Sequence, residues 1–212
     1  MLSMARSATA RSYGGISAEN RRTERRIRLL AAAREIWGEA GLPAVTVRGV
    51  CKQAGLTDRY FYEHFANRDE LLAAVADELR EQLLAVLVQS GLTADGTAED
   101  KLRSALGTFL QAIADDRRIH RIIASDFNAV PVLAQRRRDV LATITDLVVQ
   151  NVPDALPGDY DPVALRRAAL FITGGVNQLI ETWLDHLTDL TADELAASCA
   201  RMCISVVEQA RH

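Results

Sequence analysis

Between Thr46 and Leu72 the chain reads TVRGVCKQAGLTDRYFYEHFANRDELL, a run whose chemistry-bearing side chains are aromatic and basic. Val47, Val50, Cys51 and Ala54 recur at i, i+3, i+4 and i+7, which predicts one apolar face of a short helix with Thr46 as its N-cap. Gly55 ends that helix, because only glycine takes a left-handed C-cap without steric cost, and Thr57 is placed to cap a second one. Phe61 and Phe65 anchor the second helix inward and leave Asp58, Arg59, Tyr60, Tyr62 and His64 on its outer and end surfaces. Two short helices across a glycine turn, with that outer face, suit the DNA major groove. Arg59 can pair with guanine O6 and N7, Asp58 can accept from cytosine N4, and Tyr60 can press on a thymine methyl or a sugar.

These residues must be held by helices on either side. Thr23 to Ala40 places Ile27, Leu30, Ala31, Ile36 and Trp37 on an inward stripe, and Gly41 with Pro43 ends that first helix. Asn67 and Glu70 form a capping-box pattern for a long fourth helix running to about Ser90. A polar stretch from Leu92 to Asp100 follows, and we expect the functional boundary there. Beyond it the pattern predicts helices over Ala98 to Ala114, Arg117 to Asp126, Pro131 to Asn151, Pro162 to Leu187 and Ala192 to Arg211, with no competing strand pattern. The Pro162 to Leu187 helix is apolar on more than one face and carries Gly174 and Gly175 in its middle, which predicts a close backbone neighbour. With the last helix it would form a four-helix dimer interface through Phe171, Gly174, Gly175, Leu179, Cys199, Met202 and Val206.

Composition narrows the class. At 212 residues and 49% apolar content the chain can bury a substantial core, and no stretch offers the roughly 20 uncharged apolar residues of a membrane span. Cys51, Cys199 and Cys203 make an odd count without framework spacing, which points to a reduced, cytoplasmic setting and to cysteines that pack rather than bind metal. The net charge of -3 conceals an asymmetry: residues 1–70 hold 12 Lys and Arg against 8 Asp and Glu, and the remainder holds 13 against 20. A basic head on an acidic body is expected when phosphate contact is confined to one end. An enzyme would need His120 or His186 working with Asp126 or Asp185. The absence of a phosphate-cradling glycine loop, a nucleophile elbow or metal spacing argues against that.

The run AGLTDRYFYEHFANRDELL, with a helix before it and two amphipathic helices closing the chain, resembles the tetracycline-repressor-like (TetR) family of transcriptional regulators over about Thr23 to Leu79. The family pattern falls on Ala54, Gly55, Thr57, Tyr62, Glu63, His64, Phe65 and Arg68. The resemblance implies phosphate contacts from Tyr62, Arg68 and Thr46, which would set register on the duplex. His64 would assist on phosphate or cap locally, and Arg48 would reach a phosphate or a base edge. Arg21, Arg22, Arg25 and Arg26 form a basic run that would enter an adjacent minor groove or stay solvated. The sequence departs from the family at Arg59 and Tyr60, where a small residue is common, and at Gly49 and Cys51.

We therefore expect an all-α protein of about nine helices. Residues 1–20 would be a disordered arm, 21–68 a helix-turn-helix DNA-binding domain, and 69–212 a helical ligand-binding and dimerisation domain. Its partners would be a double-stranded DNA operator, a second copy of the chain and an unidentified small-molecule effector, with neither cofactor nor metal. Phe109, His120, Phe127, Asn177 and Trp183 would line the effector pocket. The function would be that of a ligand-responsive, homodimeric repressor on a palindromic operator. The alternative is a ligand-independent DNA-binding or interaction protein.

Overall fold

The computed structural model describes residues 18–186 and 188–211. Nine α-helices form among the described residues, with no strand. They are α1 (Ala18–Ala40), α2 (Val47–Ala54), α3 (Asp58–Tyr62), α4 (Arg68–Thr93), α5 (Ala98–Asp115), α6 (Arg117–Ile123), α7 (Pro131–Ala155), α8 (Pro162–Leu184) and α9 (Ala192–Glu208). Single 3-10 turns at Leu42–Ala44 and Phe127–Ala129 occupy two of the expected breaks. No helix among the described residues is long and apolar enough to cross a membrane.

Helix ends follow local chemistry. Asn67 caps α4 by accepting from the Glu70 amide at 2.9 Å, while the Glu70 carboxylate turns back to the Ala66 amide at 2.6 Å. Thr97 and Thr191 open α5 and α9 with reciprocal capping boxes. The polar stretch after α4 forms the turn into α5, where Gly96 takes φ 99°. Several helix ends differ from those the sequence pattern predicts. Helix α7 runs past Pro153 to Ala155, and α8 stops at Leu184. Helix α1 begins at Ala18, so Asn20, Arg21 and Arg22 are helical; the rest of the expected arm, residues 1–17, lies outside the described residues.

One apolar cluster runs from the head into the body. Leu29, Trp37, Val50, Phe61, Phe65 and Leu72 are contiguous in it with Leu79, Ile113, Ile122, Leu133 and Leu184. The inward stripe of α1 is Leu29, Leu30, Ala32, Ala33 and Trp37, whereas Ile27 is exposed. That corrects the expected stripe by a partial turn. A second cluster, with Leu106 and Leu110 of α5 against Leu195, Ala196 and Cys199 of α9, completes the body.

Helix α6 is clamped to the carboxyl end of α1. The Trp37 indole donates to Ser125 Oγ at 2.8 Å, and its ring lies 6.0 Å from that of Phe127. Arg118 pairs with the Glu39 carboxylate and Arg121 donates to the Glu39 carbonyl. Gly38 allows this approach, because a Cβ there would lie 2.6 Å from Arg118 Cβ and 3.1 Å from Arg118 Cα. Gly38→Ala should therefore cost about 1–2 kcal/mol in urea denaturation, the overpacking of α6 outweighing the gain of about 1 kcal/mol in helix propensity. An unchanged midpoint would mean that α6 can slide along α1.

Candidate nucleic-acid interface

Thr46 holds extended backbone at φ -121° and its hydroxyl accepts from the Gly49 amide at 3.1 Å, which starts α2. Val50, Cys51 and Ala54 are buried and Val47 packs against the same cluster, as their spacing predicts. Gly55 closes α2 at φ 62°, and the Leu56 amide donates to the Cys51 carbonyl at 2.9 Å. The chain then turns into α3, and its Phe61 ring lies 5.7 Å, centroid to centroid, from that of Phe65 three residues past the helix end, so Phe65 anchors the turn after α3 and not the helix itself. Thr57 occupies the N-cap of α3, yet its side chain makes no capping bond. Arg48, Thr57, Asp58, Arg59 and Tyr62 are exposed, and Tyr60 and His64 half-buried.

Helix α1 crosses this unit and supplies cations to it. Arg28 donates to the Ala54 carbonyl at the turn. The Arg25 guanidinium lies 4.5 Å from the Tyr60 ring centroid and 3.7 Å from the Glu63 carboxylate, and Arg26 lies 4.7 Å from the Phe65 ring centroid. The basic run is thus part of a helix packed over α3, not an extended arm. Glu63 also pairs with Arg59 at 3.4 Å, and its carbonyl accepts from Arg22 at 3.4 Å. The sequence pattern gives Glu63 no role of its own; its i, i+4 spacing from Arg59 was the available signal.

Arg68 is engaged within the chain itself. Its guanidinium donates to the carbonyls of Val45 and Leu42 and pairs with Asp69 at 3.5 Å, so it ties the start of α4 to the turn before α2. Cys51 faces Asp58. Burial first, then the hydrogen bond and charge of Asp58, push its thiol up to about 11, so it stays protonated at neutral pH.

The other predicted residues spread through the body. Phe109 and Trp183 are half-buried and touch both apolar clusters, and the Trp183 indole donates to the Leu190 carbonyl at 2.9 Å. Phe127 packs on Trp37 at the seam between head and body. His120 stacks on His186 at 5.5 Å, and Asn177 is half-buried on α8. Of the expected dimer residues, Phe171, Gly174, Gly175 and Met202 are exposed. Among the described residues, nothing beyond the helix's own backbone lies within 4 Å of a Cβ built at either glycine. Cys199 corrects that set: it is 1% exposed and sealed against α5 of its own chain. Leu179 packs on the same cluster, and Val206 on the one around Leu165 and Ala210. Burial also pushes the Cys199 thiol up and, with the neighbouring Cys199, that of Cys203 to about 12, so both stay protonated at neutral pH.

Residues 29–75 match the family model described as bacterial regulatory proteins, tetR family. This is the stretch that holds α2, the glycine turn and α3. That segment is a tetR-family domain. The chain is 25% identical over 176 residues to the transcriptional regulator UidR of Escherichia coli K12, covering 81% of this chain and 84% of that one. A transcriptional regulator from Rhodococcus sp. Rha1 superposes with a TM-score of 0.67 at 23% identity, over 87% of this chain and 97% of the other. FadR of Bacillus subtilis, solved in complex with stearoyl-CoA, superposes with a TM-score of 0.62 at 16% identity, over 84% and 97%. With a tetR-family domain at residues 29–75 and transcriptional regulators among its relatives, this chain is a DNA-binding transcriptional regulator.

His64 offers a test of the local field. Burial, then Arg22, Arg25 and Arg26, lower its pKa from 6.5, against the opposing pull of Glu63. Above about pH 6.5 the imidazole is neutral in both folded and unfolded chains and adds no pH dependence. Below it the unfolded chain takes up a proton that the folded one resists, so stability falls with pH until the folded value is passed. In thermal melts His64→Asn should flatten that decline. An identical pH profile would show that the arginines do not act on His64.

Proposed function

We propose that this tetR-family regulator is a ligand-responsive repressor, a homodimer whose two α3 helices enter successive major grooves of a palindromic operator. The observation that supports it most directly is the exposed outer surface of α3 and its surroundings: Thr57, Arg59 and Tyr62 face solvent, Tyr62 at 60% exposure, while Phe61 and Phe65 are sealed beneath them. Arg59 and Asp58 read bases; Tyr62, Thr46, Thr57 and Arg48 meet phosphates; Arg25 and His64 support them from the far end of α3. In this reading residues 21–68 are the DNA-binding unit and 69–212 the ligand-binding and dimerisation unit.

The dimer contact runs along α8. Val163, Leu170 and Phe171 are exposed at 57%, 55% and 70%, and Gly174 and Gly175 continue that surface without a side chain in the way. Large apolar residues gathered on one helical face are costly in water unless a partner covers them, and a two-fold axis lets the same face cover itself. Met202 of α9, 45% exposed, widens the face.

The effector site lies between the α4–α5–α9 layer and the α7–α8 pair, where Phe109, Val176, Ile180 and Trp183 are only partly buried. Those side chains suit an apolar ligand, and the stearoyl-CoA complex of FadR makes long-chain acyl thioesters the first class to test. A ligand that displaces α6 acts on α1 through Trp37, Gly38 and Glu39, and so on the separation of the two heads.

Selection of bound genomic fragments, followed by footprinting, should yield a palindrome with half-sites about one helical turn apart. Arg59→Ala should then cost about 1–3 kcal/mol at one base-pair position and relax specificity there. No enriched site would overturn the operator reading. Phe171→Asp should give a monomer in light scattering and lose operator binding; a dimer of wild-type size would place the interface elsewhere.

A further inference from the structure

The cations around α3 converge on one carboxylate. Glu63 follows directly on α3, and its side chain lies 3.4 Å from Arg59 Nε and 3.7 Å from Arg25 Nη2, while its carbonyl accepts from Arg22 Nη2 at 3.4 Å. These contacts join α1 to α3 across the surface that faces the duplex. Arg25 is further held by the Tyr60 ring, and its Nε is buried with no hydrogen-bond partner among the described residues. His64 Nε2, on the residue after Glu63, is likewise buried with no hydrogen-bond partner among the described residues. This donor cluster is built to receive an anion, and Glu63 now occupies part of that place.

We infer that Glu63 is a specificity-determining residue: it stands in for a DNA phosphate and withholds Arg25 and Arg59 from sequences that are not the operator. The inference rests on the reading that α3 faces DNA. The Arg59–Glu63 pair is exposed and the Arg25–Glu63 pair is long at 3.7 Å and only partly buried, so both are weak and a well-placed competitor displaces them. A random duplex offers phosphates alone, and to take either arginine it must also bring its own negative charge against the Glu63 carboxylate. The operator offers Arg59 a bidentate guanine edge as well, and that contact compensates for the repulsion. Glu63 therefore depresses non-specific binding, which phosphate contacts supply, more than it depresses operator binding. A neutral side chain at position 63 would free both arginines for any duplex.

The test uses the full chain, a short random-sequence duplex and anisotropy titrations over a range of salt. Glu63→Gln should bind the random duplex more tightly, by about threefold at low salt for each arginine freed, with a log–log salt slope steeper by about one to two units. Adding Arg59→Ala or Arg25→Ala should remove the corresponding part of the gain, and affinity for the selected operator should rise less than affinity for random sequence. Equal random-duplex affinity and slope for Glu63→Gln and wild type, at matched melting temperature, would overturn the inference. So would a gain that persists in full when both arginines are removed. If wild type binds operator and random DNA with no dependence on α3 substitutions, the DNA-facing reading fails first and takes this inference with it.

Discussion

The shared core between α1, α4 and α6 is the constraint on which the rest depends. Trp37 has no exposed surface, and it shares one apolar cluster with Phe61 of the recognition unit and with Ile122 and Leu133 of the body. Because packed interiors respond to displacement by shifting as units, a head built on this core cannot reorient without α6. Gly38 removes the slack that a side chain at the crossing would introduce. The consequence is a DNA-reading head whose orientation is a property of the body. A regulator of this kind needs that coupling before it needs any particular ligand.

The same core explains how a five-residue helix can serve as a reading surface. Isolated, α3 is too short to be stable, since helix nucleation in water costs more than one turn of hydrogen bonds returns. Its order comes from Phe61 and Phe65 below, Gly55 and the Arg28 contact at the turn, and Arg25 stacked on Tyr60 above. Arg68 adds a brace from behind by binding the Leu42 and Val45 carbonyls. These bonds give Arg68 a structural role, because carbonyls satisfied at the turn before α2 fix that turn against the start of α4.

Much of this was legible in the sequence where the signal is local. Caps at Thr46 and Asn67, the C-cap at Gly55 and the apolar spacing of α2 depend on neighbours within a few residues, and the structure shows them where expected. What was not legible depends on a second element. The rotation of α1 that buries Leu29 and exposes Ile27 is set jointly by α2, α4 and α6. Cys199 looked like part of an outward stripe because α9 is apolar on two faces, and only its packing on α5 tells which face is internal. Gly38 gave no signal until Arg118, eighty residues on, was seen against it.

Glu63 shows the limit most clearly. Read within α3 it is a common exposed glutamate, four residues from an arginine in the less favourable order for a helical ion pair. Read with α1 in place, it is the carboxylate on which cations from two helices meet. Its effect on function follows from that meeting and not from the strength of either pair, since two weak contacts to different helices oblige DNA to displace both before the cluster is fully available. A surface designed only for affinity would carry no acid there. Its presence argues that this head is tuned for the difference between operator and random sequence, the quantity that a regulator searching a genome must maximise.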